Sequence, residues 1–277
     1  MKKIIIQGDD WGYSEEVNAG IEYSYEYGIL TETTALVNLL DINKKSEYKS
    51  RLHSLKNKSG LNKPKLGIGI HLNVTYGKPL SPNWPKLEFT RPHKGSGNPE
   101  EWIGSAWQKY FSQFTISQIE DEYRRQIELG IQIFGDIDHL DSHHFSAAYD
   151  PLKSVYEKFA KEYRLAVRPA APLSEKPVYG GDFIVKEVDI NKIKTLGIKI
   201  ANSYVLKLFF NEKDPIKSFL QVVDKIEDGK AVEVMFHPAQ GQKADSWRVT
   251  DLKTLTSNAV LNYFLIRNIQ LITYKDL

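Results

Sequence analysis

The stretch KIIIQGDDWG at residues 3–12 decides the fold, because it combines a buried strand with charged side chains at its end. Its β-branched run is bounded by Gly8 and is typical of a strand covered on both faces, as in a parallel sheet. Directly after it, Ser14 can cap a predicted helix over residues 15–27, and Gly28 suits the end of that helix. A strand followed at once by a helix is the unit from which parallel α/β proteins are built.

The same alternation continues along the chain. Further strands are predicted at 34–40, 65–72, 137–140, 165–167, 231–236 and 269–273. Further helices are predicted at 117–134, 151–163, 215–227 and 250–267. Asp150 and Asp214, each followed by a proline, are the predicted caps of the second and third of these helices. The glycines of the first turn lack the spacing of a dinucleotide-binding loop, which favours a (β/α) barrel over a Rossmann sheet. The length fits one barrel or about two average domains, and we expect a single α/β domain over residues 1–277.

A long segment without periodicity interrupts this pattern at residues 76–107. It contains several prolines, glycines and tryptophans. Structureless segments of this length are uncommon inside compact domains and often cover a functional site. We therefore expect a loop insertion here.

Composition excludes several classes of protein. The 37 basic and 35 acidic residues give a net charge of +2 and are scattered, without the basic stripe of a nucleic-acid-binding protein. The absence of cysteine excludes a disulfide scaffold, a zinc ribbon and a thiol nucleophile, so Asp, Glu and His would have to hold any metal. No apolar stretch approaches the ~20 residues of a membrane span, and the first apolar run is too short for a signal peptide. We expect a cytoplasmic protein that binds neither nucleic acid nor a membrane.

Charged and imidazole side chains follow the ends of five predicted strands. They are Asp9 and Asp10, His71, Asp141 with His143 and His144, Arg168, and His237. In a parallel barrel these strand ends share one face, where catalytic residues collect. One Asp and two His suit a single divalent cation, and the remaining carboxylate and histidine could act as base and acid.

Each of these residues also has an ordinary structural interpretation. The two aspartates could be turn residues, His71 a hydrogen-bonded core histidine and Arg168 a salt-bridge partner. The pair His143–His144 is the stronger signal, because adjacent residues point in different directions and one ring can face a metal. The shared placement at strand ends favours the catalytic interpretation.

At these residues the chain resembles the YdjC-like carbohydrate deacetylases, a family that includes chitooligosaccharide deacetylase. The matching pieces are IIIQGDDWGYSEEVNAGI (4–21), GILTETTALVN (28–38), GIHLNVTYGKPL (69–80), DHLDSHH (138–144), VRPA (167–170), VMFHPA (234–239) and QLITYKDL (270–277). They occur in one order and run nearly end to end. The resemblance implies an irregular, TIM-like (β/α) barrel, a divalent metal ion (Mg²⁺, with Zn²⁺ as the alternative) and removal of acetyl groups from N-acetylated sugars such as chitooligosaccharides.

The resemblance also implies a role for each matched residue. By position, the metal ligands are Asp10, His71 and His143. Asp9 corresponds to the general base. His237 corresponds to the acid or its helper, and we expect it, as an imidazolium, to protonate the leaving amine or stabilise the intermediate.

Three further residues are candidates to bind the carbohydrate. Arg168 could hold a substrate hydroxyl or orient Asp9, and the rings of Trp11 and Trp84 could stack on sugars or belong to a local core. Family members often carry further histidines after the DSHH stretch, where this chain has Phe145, Ser146 and Ala147, and Gly8 replaces the usual alanine. These departures bear on substrate preference.

Two other functions stay open from the residues alone. One is a metal-dependent hydrolase of a phosphate ester or of another amide or ester, and the other is a carbohydrate-binding protein without turnover. Acetate release separates both from a deacetylase. Beyond a small carbohydrate, the partner that this fold allows is a second copy of the chain, as in many barrels that dimerise through helix faces.

Overall fold

Eight parallel strands form one curled sheet in a computed structural model that describes residues 1–56, 63–91, 105–169, 187–205 and 207–277. The strands are β1 (Lys3–Trp11), β2 (Glu32–Ala35), β3 (Gly67–Leu72), β4 (His139–Ser142), β5 (Ala166–Val167), β6 (Ser203–Val205), β7 (Ala231–Phe236) and β8 (Gln270–Leu271). Their order is β5-β4-β3-β2-β1-β7-β6, and β8 pairs with the first residues of β1. An isolated parallel bridge also joins Val167 to Ile200. The sheet is a TIM-like half-barrel, as predicted.

Helices follow most of the strands in the described part of the chain. They are α1 (Glu15–Tyr27), α2 (Lys45–Lys56), α3 (Ser105–Phe111), α4 (Ile116–Phe134), α5 (Leu152–Tyr163), α6 (Glu187–Thr195), α7 (Pro215–Lys225), α8 (Ser246–Leu255) and α9 (Asn258–Ile266). None of the helices that the structure describes is both long enough and apolar enough to cross a membrane.

Local sequence signals account for most element boundaries. The Ser14 hydroxyl accepts a hydrogen bond from the Val17 amide at the start of α1, as predicted. The predicted helix over 250–267 is wrong, because Ser257 caps a second helix and divides the segment into α8 and α9. The predicted Asp150 cap is also wrong, since α5 begins after Pro151 without a side-chain cap.

The predicted loop insertion at 76–107 is described only in part. Residues 76–91 contain no helix or strand, while 92–104 lie outside the described residues and α3 begins at Ser105. Inside the described part, the Trp84 ring stacks on Phe114 at 4.7 Å between centroids and meets Phe89 edge-on at 5.2 Å. This part of the segment is therefore anchored by an aromatic cluster.

The concave side of the sheet is polar. Gln7 Nε2 donates to Thr34 Oγ1 at 3.3 Å, and the Thr34 hydroxyl donates to Asp141 Oδ2 at 3.0 Å. Arg168 Nε donates to Glu233 Oε1 at 2.7 Å. Because strand residues alternate between faces, the residues between these polar positions pack outward with the helices in the apolar core. The inside of the barrel thus carries a hydrogen-bonded network in place of the usual apolar layers.

A bulge at the end of β1 places two adjacent carboxylates on this polar side. Between Gly8 and Trp11 the pairing with β2 shifts by one residue, so that Asp9 and Asp10 together lie opposite a single residue of β2. Asp10 has φ +76°, in the left-handed region that non-glycine residues rarely adopt. In a regular strand the two side chains would point to opposite faces, and the bulge turns both toward the strand ends.

Candidate active site

A cavity of about 680 Å³ opens at the carboxyl ends of the strands. Six residues predicted from the sequence line it together: Asp9, Asp10, His71, His143, Arg168 and His237. Carboxyl ends of parallel strands are where barrel enzymes place their catalytic groups. The structure therefore brings together residues that are up to 228 positions apart, from Asp9 to His237.

Asp10, His71 and His143 converge on one point of this cavity. Asp10 Oδ1 lies 3.4 Å from His71 Nε2 and 3.9 Å from His143 Nε2. Arg248 Nη2 donates to the other carboxylate oxygen at 2.7 Å, whereas Oδ1 is buried without a hydrogen-bond partner among the described residues. An unpartnered buried oxygen facing two imidazole nitrogens fits a divalent cation, so these residues pass the chemical test for a metal site.

A carboxylate behind His71 fixes the orientation of its ring. His71 Nδ1 lies 2.5 Å from Asp141 Oδ1, which leaves Nε2 directed at Asp10. Burial lowers the pKa of His71, but the carboxylates of Asp141, Asp10 and Asp9 outweigh it and raise the pKa to about 10. A carboxylate paired with the distal nitrogen of a metal-binding histidine is the usual support for such a ligand. Sequence reasoning placed Asp141 at a strand end without giving it this role.

The adjacent histidines lie side by side, so the prediction that they point in different directions is wrong. The rings of His143 and His144 are 3.7 Å apart, because His144 and Phe145 adopt left-handed backbone angles after β4. Thr75 Oγ1 lies 2.9 Å from Nδ1 of His143 and 3.0 Å from Nδ1 of His144. Burial lowers the pKa of His143 to about 3, which keeps this ring neutral, whereas His71 would have to release a proton to bind a metal.

A second set of potential ligand atoms in the same cavity is less suited to a metal. Atoms of Asp9, His71 and Asp141 lie within 4.8 Å of one another. However, Arg168 Nη2 and Nη1 donate to the two Asp9 oxygens at 2.7 Å each, and Arg168 also lies 3.0 Å from Asp141 Oδ2. A guanidinium already neutralises these carboxylates. Asp10 therefore offers the better oxygen.

The bidentate pair with Arg168 keeps Asp9 ionised. Burial raises the pKa of Asp9, but the charge and hydrogen bonds of Arg168 outweigh burial and lower the pKa below its usual value. Arg168 is in turn held by Glu233. Of the two roles predicted for Arg168, the geometry therefore corresponds to orienting Asp9.

His237 lies on the other side of Asp9. Its Nε2 is 3.9 Å from Asp9 Oδ2, and its backbone amide donates to Asp251 Oδ2 at 2.9 Å. Burial lowers the pKa of His237, so the ring is neutral near pH 7 and differs from the imidazolium expected from the sequence. Burial also raises the pKa of Asp251 to about 7.

Arg248 is a site residue that sequence reasoning missed. Its guanidinium packs 4.4 Å from the centre of the Trp247 ring, and Nε and Nη1 have no hydrogen-bond partner in the described part of the chain. Both residues belong to α8 and reach the cavity from outside the sheet. The strand-end pattern that found the other residues carries no signal for a helix residue.

The two tryptophans predicted to stack on sugars lie away from the cavity. Trp11 is fully buried, donates to Glu22 Oε1 at 3.2 Å and meets Tyr48 and Phe134 edge-on. Trp84 is 6% exposed within its aromatic cluster. The rings that line the cavity belong instead to Tyr13, Tyr76, Phe145, Phe210 and Trp247.

Comparison with known proteins identifies relatives over the whole chain. The family model described as YdjC-like protein matches residues 3–265. A carbohydrate deacetylase of Brevibacillus brevis is 30% identical, with 99% of each chain covered. A chitooligosaccharide deacetylase of Proteus mirabilis is 28% identical, covering 99% of this chain and 98% of the relative.

A solved structure shows the same fold. It is an Enterococcus faecalis protein provisionally described as a cellobiose-phosphate cleavage protein, with a TM-score of 0.72 and 24% identity. The match covers 99% of this chain and 98% of that protein. The family match and the curated relatives show that the chain belongs to the YdjC-like protein family.

Proposed function

We propose that the protein removes acetyl groups from N-acetylated sugars of the chitooligosaccharide type, such as N,N′-diacetylchitobiose. The observation that carries the proposal is the cavity in which Asp10 Oδ1 faces two imidazole nitrogens beside the ionised Asp9. The Proteus relative is named a chitooligosaccharide deacetylase and the Brevibacillus relative a carbohydrate deacetylase, and both match this chain nearly end to end.

Asp10, His71 and His143 would hold a divalent metal ion. A cation in this position supplies Lewis-acid polarisation of an amide carbonyl and a lower pKa for a neighbouring water. The donor set of one carboxylate and two imidazoles suits Zn²⁺ by its nitrogens and Mg²⁺ by its oxygen. Asp141 supports the site by holding His71 at Nδ1.

Asp9 would act as the general base. It is ionised, and Arg168 holds both of its oxygens, so the carboxylate is fixed in the orientation from which it accepts a proton. Asp9 takes a proton from the attacking water while the water oxygen bonds to the acetamide carbon. When the C–N bond breaks, the sugar nitrogen receives that proton and acetate is released.

His237 would carry the proton between these two steps. The ring is neutral at rest, so it has no extra proton to give before Asp9 has taken one. Its Nε2 lies 3.9 Å from Asp9 Oδ2, close enough for transfer after a small movement. The sequence predicts His237 to be an imidazolium acid at rest. We propose instead that its ring relays the proton and is charged only during turnover.

The sugar itself would lie against the aromatic rings of the cavity. Tyr13 and Tyr76 stack on each other at 5.3 Å on one side, and Phe210 and Trp247 are 4.9 Å apart. Aromatic faces bind the apolar faces of sugar rings, and Nη1 of Arg248, which has no hydrogen-bond partner among the described residues, can donate to hydroxyl groups.

Acetate release from N,N′-diacetylchitobiose tests the proposal. Purified protein is stripped of metal with a chelator and then supplied with Mg²⁺, Zn²⁺, Mn²⁺ or Co²⁺. We expect metal-dependent release, and we expect Asp9→Asn to lower kcat by about 10²–10⁴-fold, the usual contribution of a general base. Metal content should stay unchanged in this variant because the three ligands are intact.

Asp228→Asn is the matched control, because this exposed carboxylate pairs with the chain's amino terminus and does not line the cavity. It should keep full activity. Metal binding without acetate release from any N-acetylated sugar would favour a hydrolase of another amide or ester. Sugar binding without turnover would identify a carbohydrate-binding protein, and full activity in Asp9→Asn would remove Asp9 from the mechanism.

A further inference from the structure

A second group of ionisable side chains is buried at the opposite end of the barrel. Glu32 is the first residue of β2 and His139 the first of β4, and Asp138 directly precedes β4. One ligand atom from each of these residues lies within 4.8 Å of the other two. Since the active site lies at the carboxyl ends of the strands, this group at their amino ends is separate from it.

His139 Nδ1 lies between the two carboxylates. It is 2.7 Å from Asp138 Oδ1 and 3.6 Å from Glu32 Oε2. The three side chains are at most 2% exposed. The 3.6 Å distance is of the size found between neighbouring ligands of one metal ion whose bonds are about 2.0–2.2 Å long, and the 2.7 Å contact is a hydrogen bond that a bound ion would replace.

The group contains buried polar atoms that lack hydrogen bonds. Glu32 Oε2, Asp138 Oδ2 and His139 Nε2 have no partner within the described ranges of the chain. A buried polar atom without a partner costs free energy, and this cost is larger for a charged carboxylate. Unpartnered oxygens on two adjacent carboxylates indicate that a ligand is required there.

Neighbouring residues leave room for these side chains and cover them. A Cβ on Gly67 would lie 1.9 Å from Glu32 Oε2, and one on Gly69 would lie 2.5 Å from the His139 ring. The Tyr274 ring stacks on the His139 ring with 4.2 Å between centroids, and the backbone amide of Tyr274 donates to Glu32 Oε1. The glycines of β3 and the chain after β8 thus enclose these side chains.

No buried cation neutralises Glu32 and Asp138 within the described residues. Arg168 is committed to Asp9 and Glu233, and Lys275 is 48% exposed and pairs with Asp136. Burial and the charge of Asp138 raise the pKa of Glu32 well above its usual value. The group must therefore bind either protons or a cation.

We propose that Glu32, Asp138 and His139 form a second divalent-cation site, which ties the amino ends of β2 and β4 together beneath the barrel. His139 would bind through Nδ1, the nitrogen that faces both carboxylates. Two carboxylates and an imidazole suit a transition-metal cation such as Zn²⁺ or Mn²⁺ better than Mg²⁺. The site is structural, since none of its three residues lines the cavity.

Metal stoichiometry measured by mass spectrometry tests this site independently of activity. Full-length protein is stripped, equilibrated with Zn²⁺ and freed of excess ion. The double variant Asp10→Asn/His71→Gln, whose active site is disabled, should still bind one zinc ion per chain. Adding Glu32→Gln should abolish this binding, and with it the rise in Tm that Zn²⁺ causes in the double variant.

Glu122→Gln in the same background is the matched control. Glu122 is equally buried, but its oxygens accept from the amides of Leu80 and Ser81 and from Gln126, so zinc binding should persist. If Glu32→Gln does not fold, Asp138→Asn replaces it. The proposal is overturned if the double variant binds no zinc, or if either substitution leaves zinc binding unchanged. A Tm insensitive to zinc but falling as pH rises would show that protons fill the site.

Discussion

Asp251 is a single residue whose protonation couples pH to stability. Its folded pKa of about 7 lies above the unfolded value of about 3.9, because burial disfavours the carboxylate. Between these two pKa values the folded state binds the proton of Asp251 more tightly than the unfolded state does. The stabilisation that this proton provides is therefore complete below pH 4 and is lost as pH rises toward 7. One Asp251 oxygen accepts from the His237 amide, and an amide side chain can do the same.

Asp251→Asn should therefore become more stable relative to the parent protein as pH rises. We expect the Tm difference between variant and parent to increase from pH 4 to pH 8, measured by circular dichroism in a chelating buffer. Asp228→Asn, at an exposed position, should show a difference that hardly changes over this range. A Tm difference for Asp251→Asn that is flat or falls with pH would contradict the raised pKa.

At the residue scale, the sequence predicts which side chains meet but not how they are directed. Asp9, His71 and His237 were found because their position after a strand can be read from apolar runs. The burial of Trp11 could not be read in this way, because it depends on the bulge at Asp10. Arg248 approaches from a helix through tertiary packing, for which no local pattern exists.

Helix α1 contacts the loop after β7 through backbone atoms. A Cβ on Gly20 would lie 2.3 Å from the Cα of Ala239, and the Gln240 amide donates to the Glu16 carbonyl at 2.8 Å. This loop begins at His237, so the packing of α1 fixes where the His237 ring lies.

Gly20→Ala should weaken both stability and catalysis. Alanine favours a helix by about 1 kcal/mol, but the overlap with backbone that cannot move aside costs about 1–3 kcal/mol. We expect a lower free energy of unfolding in urea and a lower kcat for acetate release. Tyr23→Ala, on the exposed side of the same helix, should change neither strongly. A Gly20→Ala protein that is both more stable and fully active would refute this.

Element types were easier to predict than element boundaries. The cap at Ser14 and the periodicity of α4 are local signals, and both helices were predicted within one residue. The break before α9 also has a local signal, the Ser257 cap, which the continuous apolar run concealed. The segment that contains α6 and β6 lacks a clear period, so its pattern predicts neither element.

The end of the chain connects the two ends of the barrel. The Tyr274 hydroxyl donates to Glu233, which holds Arg168, and Arg168 holds Asp9. Tyr274 is 273 positions from the first residue and 265 from Asp9, so only the assembled barrel forms this chain of contacts. The apolar pattern of the last residues predicts a strand but not this network.

Tyr274→Phe should destabilise the whole molecule. It leaves a buried Glu233 oxygen without its donor, which costs about 1–3 kcal/mol. We expect this loss in urea unfolding, together with a smaller decrease in kcat as Arg168 and Asp9 lose their support. Tyr263→Phe is the control, since its hydroxyl donates to Asp224 at an exposed site and its removal should cost less than about 0.5 kcal/mol. Equal losses of unfolding free energy in the two variants would show that the network contributes nothing to stability.

The polar inside of the barrel also limits how the protein can be engineered. Replacing the polar residues of this interior with aliphatic ones would leave the partners of Glu233 and Arg168 buried without their hydrogen bonds. It would also disrupt the cavity. Thermostable versions should instead come from substitutions on the outer faces of the helices, for example at the exposed Leu265 and Ile266 of α9. In this barrel, the surface is open to redesign and the interior is not.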